Sequence, residues 1–151
     1  MVKTFFDYPI DVKSIISKAG QIKEGLLSTD CIFLEKKVAI LGGSTTSELV
    51  NFLDLFLLAN GIKGVFYESD YGKYLEEAIF DNDRLKEFNP DIVYIHTTIK
   101  NIDTFADFNS TEQEVQSLLS DEIDKYQSIW KALEPLSAII IQNNFDLPQY
   151  R

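Results

Sequence analysis

Apolar positions along the chain fall into short continuous runs separated by longer segments of helical spacing. Val38-Ala39-Ile40-Leu41 is a compact β-type run closed by Gly42-Gly43. Leu49, Phe52, Leu53, Phe56 and Leu57 then recur at helical intervals and stop at Asn60-Gly61, which predicts a helix with a C-terminal stop signal. Gly64 to Tyr67 reads as a second strand. Tyr74 to Phe80 and Asn82 to Phe88 read as two short helices, the latter ended by Pro90. Asp91 to His96 is the clearest strand, because its apolar run is that of a parallel strand covered on both faces. From Thr111 to Leu133, Val115, Leu118, Leu119, Ile123, Tyr126, Ile129, Trp130 and Leu133 form one helical stripe, and Ser137 to Ile141 makes a fourth strand. Ahead of all this, Ile15, Ile16, Ala19, Ile22, Leu26 and Leu27 predict an amphipathic N-terminal helix.

Strands alternating with helices imply right-handed βαβ crossovers. The expected fold is therefore a three-layer α/β sandwich with a parallel, flavodoxin-like sheet in the order 2-1-3-4, with strands near 38–42, 64–68, 91–96 and 138–142. Residues 1–36 are expected to form a helical extension and 37–151 the α/β domain. Sheets of this kind usually carry about five or more strands, so the domain is expected to be a piece of a longer protein.

Composition narrows the classes of function. The 151 residues suit one domain, and 45% hydrophobic with 13% aromatic content is ample for its core. With 14 Lys+Arg against 24 Asp+Glu, the net charge of −10 repels phosphate backbones and anionic membranes, so nucleic-acid binding is not expected. Runs such as Leu55 to Ala59 fall far short of the ~20 residues that span a bilayer. Asp7 and Pro9 interrupt any apolar signal sequence, which makes the cytoplasm the expected compartment. One cysteine, Cys31, and one histidine, His96, provide neither a disulfide nor a usual zinc site.

In open parallel sheets, ligands bind beyond the carboxyl ends of the strands. That rule directs attention to Gly42–Thr46, Glu68–Tyr74, His96–Asn101 and Gln142–Asp146. Two glycines at the first strand-to-helix turn permit a tight backbone and close ligand approach, and the helix beyond offers free N–H groups. Ser44 is placed there to attack an acyl carbon, with Gly43 and Thr45 beside it. The ordinary alternative is a capping box, with Thr45 as N-cap and Glu48 three residues on. A Walker-type phosphate loop is excluded, since no Gly-Lys-Ser/Thr follows. His96 and Thr97 stand at the end of the third strand, where contact with a ligand competes with simple packing. Glu68 and Asp70 read more simply as a solvated acidic loop than as a site for a cation or hydroxyl, and Tyr67, Tyr71 and Tyr74 as the wall of the sheet rather than a stacking surface.

Four ordered blocks, Ala39–Glu48, Phe66–Tyr74, Pro90–Thr97 and Ile140–Pro148, resemble the N-terminal region of FkbH-like proteins, which join an SGNH-hydrolase-like domain to a HAD-superfamily domain. By that resemblance, Ser44 falls at the nucleophile position, Gly72 at the glycine that donates an N–H to an oxyanion, and Asn101 near the asparagine of the third block. The pattern is incomplete. Gly42-Gly43-Ser44 lacks the aspartate before serine, Asn101 is displaced by a residue, and no Asp-x-x-His is present. The resemblance implies a downstream HAD phosphatase domain with its own magnesium site, and an acyl carrier protein bearing a glyceryl-type unit as partner. No cofactor is expected in this chain, which lacks the HAD Asp-x-Asp-x-Thr motif. Without a base for Ser44, the isolated chain is expected to be inactive. The alternatives are an esterase or acyltransferase completed by residues beyond 151, and a non-enzymatic docking module. Since acyl carrier proteins are usually acidic, carrier docking is expected mostly elsewhere.

Overall fold

A computed structural model describes residues 5–28 and 31–145 and places the Val38–Leu41 run at the centre of the molecule. Strand β1 (Leu34–Gly42) pairs in parallel with β2 (Ile62–Glu68) on one side and with β3 (Ile92–His96) on the other, and β4 (Ile139–Gln142) adds to β3. The order β2-β1-β3-β4 is the one expected. Helix α1 (Val12–Leu27) precedes the sheet. Helices α2 (Ser47–Ala59), α3 (Tyr74–Ile79), α4 (Asp83–Phe88) and α5 (Glu112–Leu133) fill the connections.

Alternation along the inner strands decides which residues meet which layer. On one face, Ala39, Leu41, Val93 and Ile95 pack against Ala78, Leu85, Tyr126, Ile129 and Leu133 of α3, α4 and α5, all buried. On the other side, α1 packs on α2, with Ile15, Ile22 and Leu26 against Leu55 and Leu58. The result is an α/β sandwich whose sheet has helices on both faces, as a parallel sheet requires.

Several boundaries differ from expectation for identifiable reasons. Strand β1 begins at Leu34, because the polar stretch Glu35-Lys36-Lys37 still pairs with Lys63, Gly64 and Val65 of β2. The backbone ladder needs no apolar side chain where the strand reaches the sheet margin. The expected α5 stripe is buried only at Tyr126, Ile129 and Leu133, whereas Val115, Leu119, Ile123 and Trp130 are exposed. Residues 146–148 of the last resemblance block lie outside the described residues.

Candidate functional site

The carboxyl ends of β1, β2 and β3 come out side by side, and hydrogen bonds between their loops fix the geometry there. The Gly43 N–H donates to His96 O at 2.8 Å, and Asn101 Nδ2 donates to Gly43 O at 2.8 Å. Asn101 Oδ1 accepts from the Thr98 N–H at 2.8 Å. On the β2 side, the Gly42 N–H donates to Ser69 Oγ at 2.9 Å, while the Ser69 N–H donates to Ile40 O at 2.9 Å. Both glycines are required by these approaches. A Cβ on Gly42 would meet Thr46 Cγ2 at 2.6 Å and Ser44 O at 2.9 Å, and one on Gly43 would meet the Asn101 amide at 2.5 Å.

Helix α2 starts at Ser47 with Thr46 as its N-cap, and Thr46 makes no side-chain capping bond. The capping box expected at Thr45 and Glu48 is not formed. The helix begins one residue later than that box requires, and Thr46, which takes the N-cap position, turns its buried hydroxyl to Glu68 Oε2 at 2.6 Å instead of to a first-turn N–H. The first turn of α2 is left without a side-chain cap, and its start borders a cleft of about 300 Å³. Ser44, Thr45 and Ser47 line one side of this cleft, and Glu68, Asp70 and Tyr71 the other. A groove of about 420 Å³ between α1 and α2 lies away from the strand ends, with Lys23 paired to Asp54 at 2.6 Å on its wall.

The second loop is held from beneath by Glu77, a carboxylate only 4% exposed. It accepts the Tyr67 hydroxyl in a very short hydrogen bond and the Asp70 N–H at 2.8 Å. Burial, reinforced by Glu77, pushes the Tyr67 phenol up to about 12.

The residues singled out in the sequence take distinct places. Ser44 and Thr45 line the cleft, and Gly43 underlies it. Gly72 turns the second loop at φ +73° with open space around it, and Tyr71 beside it reaches the cleft. Asn101 braces the first turn. His96 contacts Tyr94, with Nδ1 3.5 Å from the tyrosine oxygen. Thr97 is fully buried, and its peptide is gripped at both ends by Asn143, whose Oδ1 accepts at 2.9 Å and whose Nδ2 donates to Thr97 O at 2.7 Å. Asn143 and Glu77 carry no motif that marks them, although the position of Asn143 just past β4 fits the strand-end rule. Among the described residues, the Ser44 hydroxyl makes no hydrogen bond to a histidine or carboxylate, and no group of three or more His, Cys, Asp or Glu is arranged to hold a metal.

Fold and site together define a parallel α/β domain with a polar cleft at its strand ends. No protein-family model matches the sequence. No curated protein matches it either. Among solved structures, the chain is similar to the N-terminal part of the protein BF1531 from Bacteroides fragilis, described as containing a phosphatase domain complexed with Mg. The TM-score is 0.65 at 15% sequence identity, over 87% of this chain and 34% of that one. The likeness is one of fold, and the chain spans about a third of the length of its structural neighbour. Among the described residues, no helix is long and apolar enough to cross a membrane.

Proposed function

We propose that this chain is the N-terminal SGNH-like module of an FkbH-like HAD protein, and that its cleft receives an acyl, glyceryl-type substrate for a neighbouring magnesium-dependent phosphatase-type domain without hydrolysing it. The observation that carries this reading is the Ser44 cleft itself: a serine at a strand-to-helix turn, free helix N–H groups, and no base on the serine. Nucleophilic attack needs a group within ~3 Å to take the hydroxyl proton. His96 does not line the cleft, Glu68 is occupied by Thr46, and Asp70 on the cleft wall makes no hydrogen bond to Ser44. The cleft therefore offers hydroxyls that suit a carbonyl oxygen, with no base hydrogen-bonded to the serine. The structural neighbour is described as containing a phosphatase domain complexed with Mg, and the missing Asp-x-Asp-x-Thr motif assigns phosphoryl chemistry, in this reading, to a domain other than this one.

The test is an NMR titration of the chain with a glyceryl thioester of N-acetylcysteamine, run beside assays with p-nitrophenyl acetate and p-nitrophenyl phosphate. Shifts confined to Ser44–Ser47 and Glu68–Tyr71, with no turnover of either ester, are expected. Shifts elsewhere would refute the cleft assignment, and acetate turnover abolished by Ser44→Ala would replace this reading with a hydrolase.

A further inference from the structure

The charged groups on the walls of the Ser44 cleft are of one sign. Ser44, Thr45, Thr46, Ser47 and Ser69 contribute hydroxyls, Glu68 and Asp70 contribute carboxyl groups, and no Lys, Arg or His lines it. Cations of the surrounding elements are engaged elsewhere: Lys73 pairs with Glu76 at 3.7 Å, Lys125 with Glu122 at 2.7 Å, and Arg84 lies over the Tyr67 ring, 5.6 Å from its centroid. Lys100, exposed in the loop past β3, does not line the cleft. Of the two acids, Glu68 already accepts the Thr46 hydroxyl at 2.6 Å. Asp70 is held differently. Its N–H donates to Glu77 Oε1 at 2.8 Å and its carbonyl accepts from the Lys73 N–H at 3.0 Å, while its carboxylate takes no hydrogen bond among the described residues.

The start of a helix ordinarily draws anions. Here that attraction is answered from within the chain, by Glu48 in the first turn of α2 and by Glu68 on the N-cap hydroxyl. A cleft of about 300 Å³ is roughly 7 Å across, so a ligand inside it lies within about one Debye length of both acids, ~8 Å at physiological ionic strength. A phosphate monoester brings a further charge of about −1.5 to −2 at neutral pH. No cation on these walls meets it, whereas an uncharged ligand bearing hydroxyls finds donors and acceptors on both sides.

Resting on the reading that this cleft receives the substrate, we propose that it selects by charge, admitting an uncharged hydroxylated ligand and rejecting its phosphorylated form, with Asp70 as the specificity-determining residue. The class of reaction that must supply this ligand is then phosphate-ester hydrolysis: water takes the phosphoryl group, the P–O bond to the substrate breaks, and the alcohol leaves with inorganic phosphate as the second product. The cleft acts after that step and not before it.

The test titrates the full chain, followed by amide shifts, with the glyceryl thioester of N-acetylcysteamine and with the same compound phosphorylated on its terminal hydroxyl. The uncharged compound is expected to shift Ser44–Ser47 and Glu68–Tyr71 saturably, and the phosphate ester to bind about tenfold or more weakly. Asp70→Asn should narrow that gap by about threefold or more, with unchanged thermal unfolding, because the groups that anchor residue 70 belong to the backbone. Equal or tighter binding of the phosphate ester would overturn the selection and leave the substrate reading standing. A gap that Asp70→Asn leaves unchanged would overturn it as well, since size rather than charge would then exclude the phosphate. If neither compound shifts these amides, the substrate reading itself falls, and the selection with it.

Discussion

Gly43→Ala should be one of the more damaging single-methyl additions this fold can receive, and it should add no further cost once Asn101 is alanine. The new Cβ would stand 2.5–2.6 Å from Nδ2, Cγ and Oδ1 of Asn101. That amide cannot swing aside freely, because it holds Gly43 O and the Thr98 N–H, each at 2.8 Å. Moving it loses two partly buried hydrogen bonds at about 1 kcal/mol each, and residual crowding adds about 1 kcal/mol. The lower unfolded-state entropy of alanine returns about 0.5–1 kcal/mol, so the net loss is about 2–2.5 kcal/mol. Asn101→Ala forfeits the same two bonds without crowding, about 2 kcal/mol. In Gly43→Ala/Asn101→Ala the methyl occupies the space the amide has left and alanine keeps its entropic return, so the double variant should lose about 1–1.5 kcal/mol rather than 4 or more. Urea unfolding of the four proteins, with m-values compared, measures the coupling. Additive losses would show that the Gly43–Asn101 contact is not what fixes glycine at this position.

The remaining expectations concern single interactions. Thr46→Val keeps the shape of a buried side chain but removes its 2.6 Å bond to Glu68, and should cost about 1.5–3 kcal/mol in urea unfolding. Gly20→Ala should stabilise by about 0.5–1 kcal/mol, since Gly20 lies inside α1 and its added Cβ would meet nothing within 4 Å; a loss would mean that α1 is not helical there. The Tyr67 phenol is raised to about 12 by burial and then by Glu77, so its contribution to stability is complete below the ordinary tyrosine pKa and is lost as pH rises through about 12. Tyrosinate absorbance should show a late-titrating group, since burial also raises the Tyr74 and Tyr94 phenols, and Glu77→Gln should bring down only the Tyr67 member of it. Asp91 is held below its ordinary pKa by the Lys37 N–H and then by Lys36, so its contribution is present above the usual carboxylate range and is lost on acidification below it; Asp91→Asn should flatten that limb of a melting-temperature profile.

Much of the fold was legible in the sequence, because each inner strand is an apolar run with nowhere else to go. Val38–Leu41 and Ile92–His96 were readable in this way, and the crossover rule then ordered them. Local signals failed where a tertiary partner outbid them. The Thr-x-x-Glu pattern occurs twice, at Thr45–Glu48 and Thr111–Glu114. At the exposed start of α5 it forms a full capping box. At α2 the N-cap position falls to the neighbouring Thr46, whose hydroxyl is taken by Glu68 from across the turn and caps nothing, a competition no window of sequence displays. The site was readable on its first-turn side, where glycines stand out, and less so at Glu68–Tyr71, whose acids look like any solvated loop. Glu77 and Asn143 were invisible because a brace is defined only by what it holds. Helical spacing likewise marked Val115 and Leu119 as core, since periodicity records which side of a helix is apolar and not where the sheet beneath it ends.

The tight fit of Gly42 and Gly43 has a consequence for whatever enters the cleft. Glycine is the residue with most freedom to lose on ordering, and here its two peptides are immobilised by Ser69, His96 and Asn101 before any ligand arrives. The entropy of arranging the turn is thus surrendered during folding rather than at each encounter. By the reading proposed above, a ligand entering the Ser44 cleft would meet a turn already ordered, and the entropy lost on binding would be mainly its own.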